Sequence, residues 1–477
     1  MQEQISSARV ELNVAWAAIF GILRAPMNAI QSFCALSAFL ILGKALRTFT
    51  PFFRALYLPA SVIGGLVALA VVNIPGAEEH ASWFTGWSAL PGFLINIVFA
   101  SLFIGQKFPS MAKYRRAVAE QLCFGQIMAW GMYVAGIGAT MLALGPVFGV
   151  PDEFGTLLEI GFEGGHGTVG GMAGVFENLG WEAGPALGYT TATVGMLVGI
   201  IAGMAMVNRA VRKGVVAGMR SDEDMSNAEQ HGFYPISEQP PAGRQTVLSA
   251  SIDSLAWHVS MIGAAIGAGW LMHKGMVLAG GFLPENVRRL GIVESIPLFP
   301  LCMVGGLLLQ WFLCAFGMEA IVDKGQMNRI GGAALDFLVV SALATIKISF
   351  VVQYWIPLAI LLAAGVAWAL FGAIFLAPRI MRGDVFQRTM CEFGQYTGVT
   401  ATGLLLLRTV DPDNKTSART VFGAKQLLHE PVMGGGVWTA MAVPLVVKLG
   451  PGTVLAISSA AVLLWVAFWL VFLRRRG

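Results

Sequence analysis

The sequence predicts an all-α polytopic membrane protein: two inverted repeats of about five transmembrane helices, a pair of opposed re-entrant loops, and one extra C-terminal span. Three observations carry this. The 477 residues are 56% hydrophobic and only 12% charged, with a mean hydropathy of +0.69, whereas a soluble domain carries about 25% charged residues. Apolar stretches long enough to cross a hydrocarbon layer of ~30 Å recur eleven times. Two segments rich in glycine and threonine, at 153–176 and 389–410, interrupt the series where an ordinary helix is not expected.

Residues 1–26 carry Glu3 and Glu11 and no basic region ahead of an apolar part, so they do not read as a secretory signal. Residues 14–23 are too short to span; they are expected to lie at the interface or to extend the span that follows. The first repeat, 27–207, holds spans near 27–46, 55–74, 89–105, 119–144 and 186–207. A polar stretch at 208–245, running through Arg-Lys-Gly, Ser-Asp-Glu-Asp and Gln-Pro-Pro, reads as a cytoplasmic linker. The second repeat, 246–450, holds spans near 246–272, 297–316, 333–350, 353–377 and 431–448; residues 451–477 add a span at 452–473 and a basic terminus. Lys44, Arg47, Arg54, Lys113, Arg116, Arg379, Arg382, Arg408, Lys425 and the residues 474–476 fall in loops of one side, which places the N-terminus outside and the C-terminus in the cytoplasm. Lys274, Arg288, Arg289, Lys347 and Lys448 stand against that bias.

Five spans precede the linker, an odd number, so a related second half enters the membrane upside down, as inverted-repeat transporters do. Pro185, Gly188 and Thr193 match Pro431, Gly434 and Thr439 at one constant spacing. By the charge rule the first loop dips in from outside and the second from inside, and their tips are expected to meet near the midplane.

The loops are where the chemistry is expected. Glycines at 161, 164, 165, 167, 170, 171 and 174 leave backbone amides and carbonyls unscreened, and non-helical backbone at membrane depth is tolerated only where protein buries it or it lines a cavity. Half-helix N-termini near the midplane favour an anionic group, which suits a carboxylate substrate. Carbonyls and the hydroxyls of Thr168, Thr190, Thr193, Thr400 and Thr402 are hard oxygen ligands that suit sodium; close helix packing is the alternative use of the same small residues. His166 either couples protons or fixes its loop through a hydrogen bond. Glu163, Asp336 and Glu392 are costly in a membrane and so are functional candidates, with an interfacial position as the alternative for Asp336 and Glu392. Thr193, Asp336 and Glu163 are the candidate sodium ligands. Lys347 is expected to snorkel, and His258 and Gln310 to satisfy neighbouring helices. The five cysteines lack metal or redox spacing and read as packed small hydrophobes. No nucleophile elbow, zinc motif or phosphate loop is present, and no basic stripe or aromatic platform suggests nucleic acid. An enzyme and a resident cofactor are not expected.

Several of these residues resemble the bacterial sodium/glutamate symporters. The likeness runs in order through Pro59-Ala-Ser-Val-Ile-Gly-Gly-Leu, Gly164-Gly165-His166-Gly167-Thr168, Ala192-Thr193-Val-Gly195, Ile330-Gly331-Gly and Gly398-Val-Thr400-Ala-Thr402. The resemblance implies glutamate uptake driven by a sodium gradient across the bacterial inner membrane. It also implies a homodimer whose transport domain moves as an elevator against a scaffold domain. It carries the binding region onto Gly164, Gly165, His166, Gly167, Thr168, Gly398, Thr400 and Thr402. Departures are the glycine-poor run 394–398, Glu163 before the first motif, and the extra span. They leave a di- or hydroxycarboxylate, coupled to sodium or to protons, as the alternative cargo.

Overall fold

Lipid offers no partner to a backbone amide or carbonyl, so a chain this apolar has to satisfy both within helices. The computed structural model describes residues 27–55, 58–73, 82–106, 114–214, 233–236, 239–288, 293, 296–411 and 415–474. The expected N-terminal segment, and residues 215–232 of the expected linker, lie outside them. Among the described residues eight helices are long and apolar enough to cross a membrane, and three shorter apolar helices accompany them. Each of the eleven apolar stretches read from the sequence falls on one of these helices.

Six helices form a frame: α1 (Ala29–Phe49), α2 (Ala60–Val72), α3 (Leu90–Ser101), α8 (Ser254–Gly280), α9 (Leu298–Ala315) and α10 (Lys324–Ala344). The packing of one half of the frame repeats in the other. α1 packs on α2 as α8 packs on α9, α2 meets α10 as α9 meets α3, and α3 and α10 pack on each other at the centre. Glycines bring the backbones together in the same way twice. A side-chain carbon at Gly43 would lie 2.1 Å from the Ala60 carbonyl and one at Gly64 2.3 Å from that of Phe39. Gly305 stands 2.2 Å from the Ala265 carbonyl by the same measure, and Gly269 packs on the backbone of Leu301 and Cys302. Contacts this close let van der Waals packing replace the hydrophobic drive that lipid removes. His258 and Gln310, expected to satisfy neighbouring helices, tie frame loops instead: Nε2 of His258 accepts from the Asp323 amide at 2.8 Å, and Gln310 accepts from the Gly105 amide at 2.7 Å.

A second group of helices forms a bundle beside the frame. It comprises α4 (Arg115–Ala139), α5 (Leu157–Phe162), α6 (Gly165–Asn178), α7 (Gly184–Arg212) and, from the second half, α11 (Trp355–Phe371), α12 (Val385–Val410), α13 (Ala418–His429), α14 (Val437–Leu449) and α15 (Pro451–Phe468). α4 and α11 each run into a π turn, Thr140–Leu144 and Gly372–Leu376, with a proline two residues beyond it. They clasp each other through Gly131, which receives the Trp368 ring, and Gly372, which receives Met128.

Two expectations need correction. The glycine-rich segments are helical over most of their length, because membrane-depth backbone must still bond internally; their interruptions are confined to a few residues. Pro185 opens α7, which contains Gly188 and Thr193, whereas Pro431 and Gly434 lie in the loop ahead of α14. The constant spacing between these residues therefore joins unlike structures.

Candidate functional site

Three breaks in the bundle helices converge. The first separates α5 from α6 at Glu163 and Gly164, and Gly165 follows with φ +67°, a left-handed conformation suited to glycine. The second lies inside α12 at Gly398 (φ −162°, ψ 39°) and Val399 (φ 64°, ψ 172°). The third is the loop 430–436 between α13 and α14, where Gly434 and Gly435 take φ of 66° and 112°. They touch. A side-chain carbon at Gly165 would sit 2.4 Å from Val399 Cγ1; one at Gly434 would sit 3.5 Å from Glu163 Cγ; one at Gly435 would sit 2.6 Å from Thr168 Oγ1.

A buried polar network threads the breaks. Its carboxylates Glu120, Glu159, Glu163 and Glu392 and its cations Arg388 and Lys425 are each at most 2% exposed. Arg388 pairs with Glu120 at 3.3 Å, and Lys425 with Glu392 at 3.2 Å. Gln121 bridges the pairs, donating to Glu392 at 3.1 Å and accepting from Arg388 Nε at 2.9 Å. From Lys425 the chain runs to Oε1 of Gln426 at 2.9 Å, then from Nε2 of Gln426 to Oε1 of Gln395 at 2.9 Å and to Glu430 at 2.9 Å. The Thr400 hydroxyl lies 2.8 Å from both Gln395 Oε1 and Glu430 Oε1. Gln395 Nε2 then reaches Glu163 Oε1 at 3.4 Å, which also meets His429 Nε2 at 2.5 Å. One turn earlier on α5, Glu159 takes hydrogen bonds from the Tyr133 hydroxyl, the Thr439 hydroxyl at 2.9 Å and the Gly434 amide at 3.2 Å. Glu159 and Glu163 are the two buried carboxylates here that no Lys or Arg pairs with.

The sequence candidates divide. Gly164, Gly165, Thr168, Gly398 and Thr400 stand at or beside the breaks, and Thr402 bonds back to the Gly398 carbonyl across the second one. His166 turns away from the carboxylates: its Nε2 meets the Thr193 hydroxyl at 2.9 Å, and its ring stacks on Tyr189 with centroids 6.4 Å apart. Thr193 donates to the Tyr189 carbonyl at 2.9 Å, so its hydroxyl accepts from His166. Gly167 faces the frame, where a side-chain carbon would meet Ile95 at 3.0 Å. Of the candidate sodium ligands, Glu163 is at the breaks, Thr193 is one layer back on α7, and Asp336 is an exposed residue of frame helix α10 beside Ser61.

Lys425 was expected among the loop charges and is instead fully buried, its ammonium matched by Glu392. Lys425, Gln426, His429, Glu430 and Glu159 are site residues the sequence reading passed over. The signal was there in the spacing: Glu159/Glu163, Arg388/Glu392 and Lys425/His429 are each four apart, so each pair shares one helix face.

At one end, frame and bundle part to leave a cavity of about 480 Å³, lined by Ser88, Glu177, Glu182, Tyr189, Thr345 and Lys347 among others. Lys347 is exposed, 3.9 Å from Glu182. Tyr189, which carries the His166 stack, is shared between cavity and bundle interior.

The sodium/glutamate symporter family model matches residues 25–410 of this chain. The chain belongs to that family. A curated relative, the sodium/glutamate symporter of Haemophilus influenzae, is 22% identical over 380 residues, which covers 78% of this chain and 86% of the relative. The family match takes in the first two breaks and ends before α13, so Lys425, His429, Glu430 and the 430–436 loop are contributed from beyond it.

Proposed function

We propose that the chain is a sodium-coupled glutamate symporter of the bacterial cytoplasmic membrane, working as a homodimer with its N-terminus outside. In this reading the bundle moves as an elevator past the frame. Family membership supports the transport class. The observation that carries the site is the convergence of three helix breaks on two buried carboxylates without a paired cation. Helix ends at the breaks offer amides to a substrate carboxylate, and uncompensated Glu159 and Glu163 attract cations, so anion and cation stabilise each other there. The cavity that Tyr189 lines presents Lys347 beside Glu177 and Glu182. The two acids there suit the α-ammonium that glutamate carries and that a di- or hydroxycarboxylate without an amino group lacks, which favours glutamate over the alternative cargo.

The test is uptake into liposomes carrying the purified protein. An inward sodium gradient is expected to drive accumulation of labelled glutamate, potassium replacement to abolish it, and unlabelled dicarboxylates that lack an amino group to compete poorly. Accumulation that ignores sodium sinks the coupling; strong competition by a dicarboxylate without an amino group sinks the substrate.

A further inference from the structure

Trp130 sets the direction of a chain of hydrogen bonds. Its indole N–H only donates, so Gln126 Oε1 is the acceptor at 2.9 Å, and Nε2 of the same amide is the donor at 3.1 Å to His429 Nδ1. A ring nitrogen that accepts carries no proton. His429 is therefore neutral, with its proton on Nε2, which it gives to Glu163 Oε1 at 2.5 Å. The second donor, Gln395 Nε2 at 3.4 Å, falls on the same oxygen. Its own direction is fixed too, because Gln395 Oε1 accepts from Gln426, whose Oε1 accepts from Lys425. Glu163 is thus an acceptor on Oε1, while its Oε2 is buried with no hydrogen-bond partner. Neither permanent cation serves it, since Lys425 bonds Glu392 and Gln426 and Arg388 bonds Glu120 and Gln121. A carboxylate held this way lacks its counter-charge at one named oxygen.

We propose that Glu163 Oε2 is a ligand of a dehydrated monovalent metal cation seated between the α5–α6 break and the 430–436 loop. The ion is sodium in the symport reading on which this inference rests. The neutral oxygens these two elements offer are the Thr168 hydroxyl and the Gly434 carbonyl, 3.5 Å from each other, and a side-chain carbon at Gly434 would lie 3.5 Å from Glu163 Cγ. These are hard oxygen donors, which favour alkali and alkaline-earth ions over softer metals. Among the described residues no three His, Cys, Asp or Glu side chains gather to hold a metal. That leaves a divalent ion short of charge and leaves a site of one carboxylate plus neutral oxygens to a monovalent one. Trp130, Gln126 and His429 act as positioning residues: they keep Oε1 occupied and Oε2 free.

The test is thermal melting of the purified full chain without substrate, titrating sodium against potassium at constant ionic strength. Wild type is expected to gain stability from sodium with a saturating midpoint. Glu163→Gln, which still accepts from His429, is expected to melt no lower in potassium and to shift the sodium midpoint upward by at least about tenfold, the scale of one lost ligand contact. Glu319→Gln, an exposed frame carboxylate, is the control and is expected to respond as wild type does. A wild-type midpoint in Glu163→Gln overturns the site. So does wild-type stability that follows pH between about 6 and 8, where a histidine-like proton site titrates, but ignores sodium. If Glu163→Gln does not fold, Thr168→Val decides: a weaker sodium midpoint is expected, and an unchanged one overturns the proposal. Sodium-driven uptake that survives with the Glu163→Gln midpoint unchanged condemns this site and spares the symport reading. Sodium binding at Glu163 without sodium-driven uptake does the reverse.

Discussion

Val399 holds φ at 64°, a region that excludes β-branched residues unless the surroundings compel it, and its Cγ1 fills the space a side chain at Gly165 would need. Gly165→Ala adds a left-handed penalty of ~1–2 kcal/mol to that clash. It is expected to lower the melting temperature and abolish uptake while the protein still inserts; normal uptake removes this contact from the mechanism. His429→Ala leaves Glu163 without its short hydrogen bond, and bonds to a charged group contribute about 1.5–3 kcal/mol. A loss of that size is expected on melting, with His429→Gln, which keeps a donor, recovering part of it. Equal losses in both variants count against the assigned bond. Gly165 and Thr168 were legible in the sequence because glycine and threonine stand out against an apolar background. Their partner Val399 was not, since nothing in a valine announces a positive φ.

α13 shows why one element of the site stayed hidden. Its residues are too polar for a hydropathy reading to count as a span, yet Val421, Phe422, Lys425 and His429 are all buried. A buried lysine looks like a loop charge until its acid is known, and Glu392 lies far away along the chain. Gly125 makes room for this pairing: a side-chain carbon there would meet Lys425 Cε at 2.5 Å and Glu392 Oε2 at 3.0 Å. Gly125→Ala is therefore expected to cost about 1–3 kcal/mol, as overpacking does, and Gly125→Ala in a Lys425→Met background to cost less; equal costs in the two backgrounds refute the crowding. At the start of the same connection Asp411 accepts from the amides of Lys415 and Thr416, at 2.8 and 3.0 Å, and from the Thr416 hydroxyl at 2.6 Å. Burial pushes the Asp411 carboxyl up, but these bonds outweigh it and hold the group below its ordinary value. A depressed acid contributes stability that is full above the unfolded value and is lost as pH falls through the folded one. The stability gap between wild type and Asp411→Asn is expected to close on acidification below the ordinary carboxylate range; a gap independent of pH counts against the turn.

Taken whole, the molecule is two groups of helices in contact chiefly where α6 lies along α3 and α10. Cysteines placed at Ala173 in the bundle and Thr345 in the frame, both lining the cavity, are expected to arrest uptake when joined by a short bifunctional reagent. Full cross-linking with undiminished uptake rules out relative movement of the two groups. At this scale the eleven apolar stretches were plain from composition, because hydropathy over twenty residues is a strong signal. The mirrored packing of the frame was not, because it rests on glycine contacts such as Gly43 with Ala60 and Gly305 with Ala265 whose partners no local pattern reveals. The pairing of Glu163 with His429 also has a consequence for biogenesis. Glu163 enters the membrane well before its partner His429, 266 residues further along the chain, has been translated. Until α13 arrives the half-built bundle holds this acidic group in lipid without its matching donor, a state costly enough to stay open to chaperones and proteases. Completion of the final helices is thus the step that commits a nascent chain to survival.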